Sequence, residues 1–480
     1  MTTRTLHHQL REGVMRRLRP VIQHRGARGV WRGSLTLRWL EWIGSRVPRA
    51  ADALQLAGLM HLSEGRHREA IARFEEALAR GLGERPFLRF NLALAHMSTG
   101  ALACAERELH EAARLAPQAP WITYHVALCL MRQGRTDDAV AAFVTSLEQS
   151  ADTTDGQQRD FPEVLARAAS GDAAQVEALH ALVQRRPQAV AAARFLAHVE
   201  AHRGNAAVAT ELLEHVGSYR WPRPIHGDTS DRMPHFLVIG QAKAGTTSLF
   251  QYLGAHAQVE MPLEKEMHYW SWHHRHGAAW YRAHFPPLPE MLARPLSGTS
   301  RRITGEASPS YFTHPEAPAR IASALPGVRC ILLLRDPVAR AYSDYRMQVQ
   351  PGHLSASFEE IMAAELARTP RCPLEPDAVP NGILTHSAAL PHLKRWLRYL
   401  PAEQLLVVRT SDLADDLPGV MRRVCRHLDI APFVPPDRQR HNEGRYPALS
   451  SALEQQLRAW FAEHDRALAD FLTALPATPS

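Results

Sequence analysis

Lysine is nearly missing from this chain: of 56 basic residues only Lys243, Lys265 and Lys394 are lysine. Arginine serves wherever a surface cation will do, so a position that keeps lysine against that bias wants a compact ammonium instead of a planar guanidinium. Cysteine is also scarce. The five cysteines (Cys104, Cys129, Cys330, Cys372, Cys425) are scattered, odd in number and form no CxxC pair, which excludes a disulfide framework and a zinc knuckle and leads us to expect a reducing, cytoplasmic setting. No apolar run reaches the roughly 20 residues of a membrane-spanning helix. The N-terminus has no uninterrupted apolar core ahead of a small-residue cleavage site, so no secretory signal is expected.

What is present is ordinary globular composition, 45% apolar and 22% charged, over 480 residues, too long for one hydrophobic core. The net charge of +7 is local. Residues 1–50 hold eleven Arg against only Glu12 and Glu41, and the rest of the chain is slightly acidic. This basic arm, ending in LTLRWLEWIG, is expected to pack its Trp and Leu on the next domain, or to rest on an anionic membrane surface or a partner as a peripheral contact; its Arg-rich, acid-poor composition also fits a transit peptide. No nucleic-acid partner is expected.

Between residues 51 and 216 the sequence repeats itself. Small residues recur at Gly58, Ala93 and Ala127, glycines at Gly65, Gly100 and Gly134, alanines at Ala70, Ala105 and Ala139, and large apolar residues at Phe74, Leu109 and Phe143. A further copy places Ala197, Gly204, Ala209 and Leu213 two periods on. Small residues let paired helices approach closely, glycine turns the chain, and each amphipathic pair needs a neighbour. The spacing resembles the tetratricopeptide repeat and predicts an all-α solenoid that binds a peptide or protein partner, or serves as a spacer or dimerisation element. Residues 217–234 (GSYRWPRPIHGDTSDRMP) read as a linker. From 235 to 480 short apolar strands alternate with helical segments, predicting an α/β domain with a mainly parallel sheet.

That domain opens with HFLVIGQAKAGTTSLFQYL: a buried strand, a loop and a helix. Amide N–H groups and the helix dipole converge on such a loop and make it an anion site. The ATP-binding loop GxxxxGK[ST] puts its lysine after the second glycine; here Lys243 comes two residues before Gly245. The departure matters, because it asks for a different anion.

GQAKAGTTSLFQYL resembles the 5′-phosphosulfate loop of sulfotransferases that use 3′-phosphoadenylyl sulfate (PAPS), and LLLRDPVARAYSDY resembles their 3′-phosphate element. KEMHYW, GAAWYRAHFP and GEASPSYFTHPEAPARI are similar to the carbohydrate branch of that family, the heparan sulfate sulfotransferases in particular. The resemblance covers roughly the last 245 residues and not the repeats. It implies a P-loop-like fold in which Lys243, Ala244, Gly245, Thr246, Thr247 and Ser248 hold the 5′-phosphosulfate and Arg335 with Ser343 holds the 3′-phosphate. It also implies that Arg445, in HNEGRYP, closes over the nucleotide and that Glu266 is the base. Where many relatives carry a second catalytic lysine after GE, this chain has Ala307, leaving Lys265, Arg335 or a histidine to supply any further cation.

The chemistry agrees. Sulfo transfer builds negative charge on the oxygen leaving with the 5′-phosphate, and an ammonium placed there stabilises the transition state more than the ground state. The acceptor must lose a proton, for which Glu266 is the candidate and Glu264 the competitor; an ion pair with Lys243 or Lys265 is the bland alternative for Glu266. Lys265, His268, Trp270, His273, His274 and His276, with Trp272, Trp280 and Tyr281, are expected to line an acceptor groove, since aromatic faces pack on sugar rings. Trp270 and Trp280 could instead be core. No metal is expected: phosphate charge is met by amides, Lys and Arg, and the HHRH run (His273, His274, His276) lacks a fitting fourth ligand. The resemblance implies a carbohydrate or glycolipid acceptor, or a tyrosyl peptide delivered by the repeats. Two other readings are a nucleotide kinase using Asp336 to hold magnesium, and a non-catalytic repeat scaffold.

Overall fold

The computed structural model describes residues 51–150, 163–221, 232–287, 302–349, 356–376, 380–436 and 449–475. The basic arm and Arg445 lie outside these residues. Two compact units are present, 1–150 and 151–480.

The first unit is three helical hairpins: α1 (Ala51–Ser63) with α2 (His67–Ala77), α3 (Pro86–Thr99) with α4 (Leu102–Leu115), and α5 (Pro120–Arg132) with α6 (Thr136–Gln149). The repeating positions behave alike. Ala70, Ala105 and Ala139 are buried, as are Phe74, Leu109 and Phe143. Gly65, Gly100 and Gly134 turn each hairpin at positive φ. A Cβ on Gly58 would lie 2.4 Å from the Phe74 ring, so close approach of paired helices is what the small residue permits.

The second unit starts upstream of the expected linker. It holds α7 (Glu163–Ser170), α8 (Ala173–Arg185), α9 (Val190–His202) and α10 (Ala206–Arg220), followed by β1 (Phe236–Gly240), α11 (Thr246–Gly254), β2 (Val259–Glu260), α12 (Gly277–Arg282), β3 (Ile303–Ala307), α13 (Ala317–Ala324), β4 (Arg329–Leu334), α14 (Pro337–Val349), α15 (Phe358–Arg368), α16 (Ile383–Ser387), α17 (Ala389–Trp396), β5 (Leu405–Arg409), α18 (Thr410–Asp415), α19 (Leu417–Leu428) and α20 (Ser451–Ala474). The sequence expectation ran the solenoid continuously from 51 to 216. Instead α9 and α10 pack against the sheet domain, because Ala193, Ala197, Ala201, Ala209, Leu213 and Val216 share one apolar cluster with Trp270, Trp280, Tyr281 and Phe285. Trp280 is fully buried there, and removing such a side chain costs about 3–5 kcal/mol.

The sheet order is β2-β3-β1-β4-β5 and every neighbouring pair is parallel. A parallel sheet covered on both faces needs continuous apolar strands, and FLVIG and CILLL supply them. Leu237, Ile239, Cys330, Leu332 and Leu334 face the α9–α10 side. Phe236, Val238, Ile331 and Leu333 face α11 and α19. With β3 on one side of β1 and β4 on the other, the carboxyl end of β1 is the switch point where open α/β sheets bind ligands.

Candidate active site

At that switch point lies a cavity of ≈ 670 Å³. One wall is the loop after β1. Gly245 caps α11 in the left-handed region (φ 97°), which turns the first helical amides toward the cavity; an α-helix cannot bond these amides itself. Thr246, Thr247 and Ser248 all line the cavity. The loop's carbonyls are turned the other way and held. Arg335 Nη1 donates to the Lys243 carbonyl (2.8 Å), Arg340 Nη1 to that of Ala242 (3.4 Å), and Thr410 Oγ1 to that of Ala244 (2.7 Å). With these carbonyls held and Thr246, Thr247 and Ser248 lining the cavity, the loop has the donors to cradle an anion.

Lys243 sits at φ 69° and lines the cavity. Its ammonium contacts only the Met347 sulfur at 3.5 Å, and among the described residues it forms no ion pair. Burial holds its pKa below the ordinary lysine value, opposed by Asp344 and reinforced by Arg335. An ammonium kept half out of water without a counterion is poised to receive one.

Arg335, Arg340 and Ser343 form the wall contributed by β4 and α14. Arg340 is a residue that the sequence did not single out. It is buried, its Nε donates to Ser387 Oγ (2.8 Å), and its Nη2 donates to Asp344 (3.0 Å) and the Ile383 carbonyl (3.1 Å). Asp336, the magnesium candidate of the kinase reading, is absent from the cavity wall; it caps α14 by accepting from the Ala339 amide (2.8 Å) and pairs with Arg458 (3.2 Å).

Opposite stand Glu266, His268 and Trp272. Glu266 (φ 30°) and His268 (φ 53°) both occupy the left-handed region, a conformation that costs about 1–3 kcal/mol each in a non-glycine residue and clusters at functional sites. The Glu266 carboxylate pairs with Lys265 and lies 3.7 Å from His268 Nε2. Beneath them the end of β3 forms a buried network: Glu306 accepts from Tyr281 (2.6 Å), Tyr311 (2.7 Å) and Ser308 (2.6 Å), and Ser308 Oγ in turn accepts from the His268 amide (3.1 Å). Ser310 Oγ bonds His268 Nδ1 (2.7 Å) and Ser271 Oγ (2.8 Å). Burial pushes the Glu306 carboxyl up, and its three hydroxyl donors oppose that.

The expected acceptor groove needs correction. Trp270 is 3% exposed and its indole N–H donates to Tyr281 (3.0 Å), so it is core. His273 is likewise buried, with Nδ1 bonded to the Met267 carbonyl (2.8 Å); Trp280 and Tyr281 are buried too. His274 is exposed and packs beside Tyr269, and Lys265 reaches the cavity only through its pairing with Glu266. The aromatic face presented at the cavity rim is Trp272, 57% exposed and packed on the His268 ring at 4.5 Å. Glu264 points elsewhere: burial would raise its carboxyl, but His198, Arg194 and His284 hold it well below the usual carboxylate range.

Residues 233–441 match the sulfotransferase domain family. The chain is 36% identical over 213 residues to human bifunctional heparan sulfate N-deacetylase/N-sulfotransferase 3, covering 42% of this chain and 23% of that protein. It is 32% identical over 240 residues to mouse heparan sulfate glucosamine 3-O-sulfotransferase 3B1, covering 48% and 56%. The chain thus spans about a quarter to about half the length of these curated relatives. A sulfotransferase of solved structure from Alicyclobacillus acidocaldarius aligns over 50% of this chain and 96% of its own at 24% identity with a TM-score of 0.39. Loop, strand-end arginine and sulfotransferase-domain match coincide on one stretch of chain, residues 233–441.

Proposed function

We propose that this protein transfers a sulfo group from PAPS to a hydroxyl or amine of a carbohydrate-type acceptor. The observation that carries the reading is the unpaired, half-buried Lys243 ammonium set in an amide cradle, with a second cationic wall at Arg335 and Arg340. The 5′-phosphosulfate lies on the loop and first turn of α11, and the 3′-phosphate on Arg335 and Ser343. The acceptor oxygen or nitrogen attacks sulfur from the Trp272 side, and a new bond to sulfur forms as the bond from sulfur to the 5′-phosphate oxygen breaks. The electron pair leaves with adenosine 3′,5′-bisphosphate, whose developing charge Lys243 meets, while Glu266 takes the acceptor's proton. His268 Nε2, beside Glu266, orients that carboxylate. Trp272 offers the flat apolar surface against which a sugar ring packs.

The hairpins of the first unit are read as tetratricopeptide repeats that hold a protein partner, and residues 1–50 as a peripheral contact to an anionic surface in the cytoplasm. Calorimetry with adenosine 3′,5′-bisphosphate tests the donor assignment. Arg335→Ala should weaken that ligand by roughly 10- to 100-fold, the worth of charge-assisted bonds, and leave a nucleotide lacking the 3′-phosphate unaffected. Equal binding of ATP and the bisphosphate by the wild type would remove PAPS as donor.

A further inference from the structure

Away from the cavity, α9 meets the segment that leads to the active-site wall through three side chains distant in sequence. His198, Glu264 and His284 bring one ligand atom each to within 4.8 Å of one another, and among the described residues they are the one such cluster. Both Glu264 oxygens approach His198 Nε2, Oε1 at 3.0 Å and Oε2 at 2.9 Å. Oε2 also lies 4.0 Å from His284 Nε2, and Oε1 lies 3.6 Å from Arg194 Nε.

His284 is the telling member. It is fully buried, and its Nδ1 is bonded to the Trp280 carbonyl at 2.8 Å. That bond needs the proton on Nδ1, so Nε2 carries a bare lone pair, and this atom has no hydrogen-bond partner among the described residues. An imidazole lone pair therefore faces a carboxylate oxygen across 4.0 Å. The gap is too long for a hydrogen bond and close to the roughly 3.3 Å separating two ligands of one tetrahedral zinc ion. Part of the orienting shell of a metal site is also present: a backbone carbonyl fixes the tautomer of His284. A salt bridge between His198 and Glu264 would account for two of these residues and leave the third, completely buried, aimed at a group it cannot bond.

We propose that His198, Glu264 and His284 bind one divalent transition-metal ion of the zinc class. His198 releases the Nε2 proton it shares with Glu264, so binding liberates a proton, and solvent reaches the fourth position along the partly exposed Glu264. The ion takes no part in sulfo transfer. It fastens α9 to the chain two residues before Glu266, and the inference stands whatever the domain's acceptor is.

Tag-free full-length protein, stripped with chelator and titrated with zinc and with cobalt(II), tests this without reference to activity. The expected result is one ion per chain, tetrahedral cobalt absorption bands and a higher Tm with zinc. His284→Ala and Glu264→Gln should each lose roughly 100-fold or more in affinity, beyond the 10- to 100-fold effect of an outer-shell partner. His276→Ala, in the neighbouring histidine stack, should keep the site. If stripped wild-type protein takes up no stoichiometric zinc, the inference is wrong even when a variant fails to fold; uptake unchanged in folded His284→Ala, or lost in folded His276→Ala, overturns it equally.

Discussion

Replacing Lys243 by methionine should make the empty protein more stable and the enzyme far slower. The ammonium is half-buried, its hydrogen-bond neighbour is a thioether, and burial lowers its pKa, so the unliganded fold carries a charge that Asp344 offsets only in part. Methionine keeps the aliphatic stem against Met347 and, being a non-glycine, keeps the same cost at φ 69°; glycine would relieve that cost and confound the comparison. Removing a mismatch of this kind typically gains about 0.5–2 kcal/mol, or roughly 1–8 °C in Tm for a domain of this size. Loss of a preorganised group on the leaving oxygen should lower kcat by about 10²- to 10³-fold. Differential scanning fluorimetry with and without adenosine 3′,5′-bisphosphate reads both sides. At 100 times its Kd the ligand should stabilise the wild type by about 2.7 kcal/mol, and the methionine variant much less, so the order of the two Tm values reverses on ligand addition. A variant that is less stable when empty and gains the full ligand shift would refute the assignment of Lys243.

Glu266→Gln should lower kcat by about 10²- to 10⁴-fold while calorimetry finds bisphosphate affinity unchanged; if His268→Gln is the slower enzyme, the histidine takes the proton. Acid should destabilise the domain. Burial, reinforced by Arg395 and Arg329 respectively, lowers the buried His392 to about 3 and His427 to about 4. Below their ordinary value of 6.5 the unfolded chain therefore binds protons that the folded chain does not, and stability falls as pH drops from 6.5 toward 4. Between pH 7.5 and pH 5 each contributes a loss of about 2 kcal/mol, so His392→Gln should flatten the pH dependence of Tm, and a Tm that rises on acidification would contradict this.

The strand, loop and helix from His235 to Leu253 were legible because the apolar run, the glycines and the hydroxyls each report on a local conformation. Arg340 was not. Its place depends on Ser387 and Ile383, more than forty residues away, and nothing in ARAYSDY separates it from any helical arginine. The aromatic segment KEMHYWSWHHRH was legible as a site but not in its facing. Two left-handed residues, Glu266 and His268, break any regular alternation, so Glu264 and Glu266 diverge and Trp272 reaches the rim while Trp270 does not. Repeat spacing likewise described each hairpin but not its neighbour: the alanines of α9 fit a tryptophan of the catalytic domain as well as another repeat.

That last contact constrains how the molecule can be taken apart. A catalytic fragment trimmed at the polar stretch after Arg220 would lose the alanine-rich helices that cover Trp280 and Phe285 and bare both rings, a surface expected to drive aggregation. Recombination in the array faces the same limit. Units can be gained or lost near the amino end, whereas the final hairpin is inherited together with the enzyme it roofs.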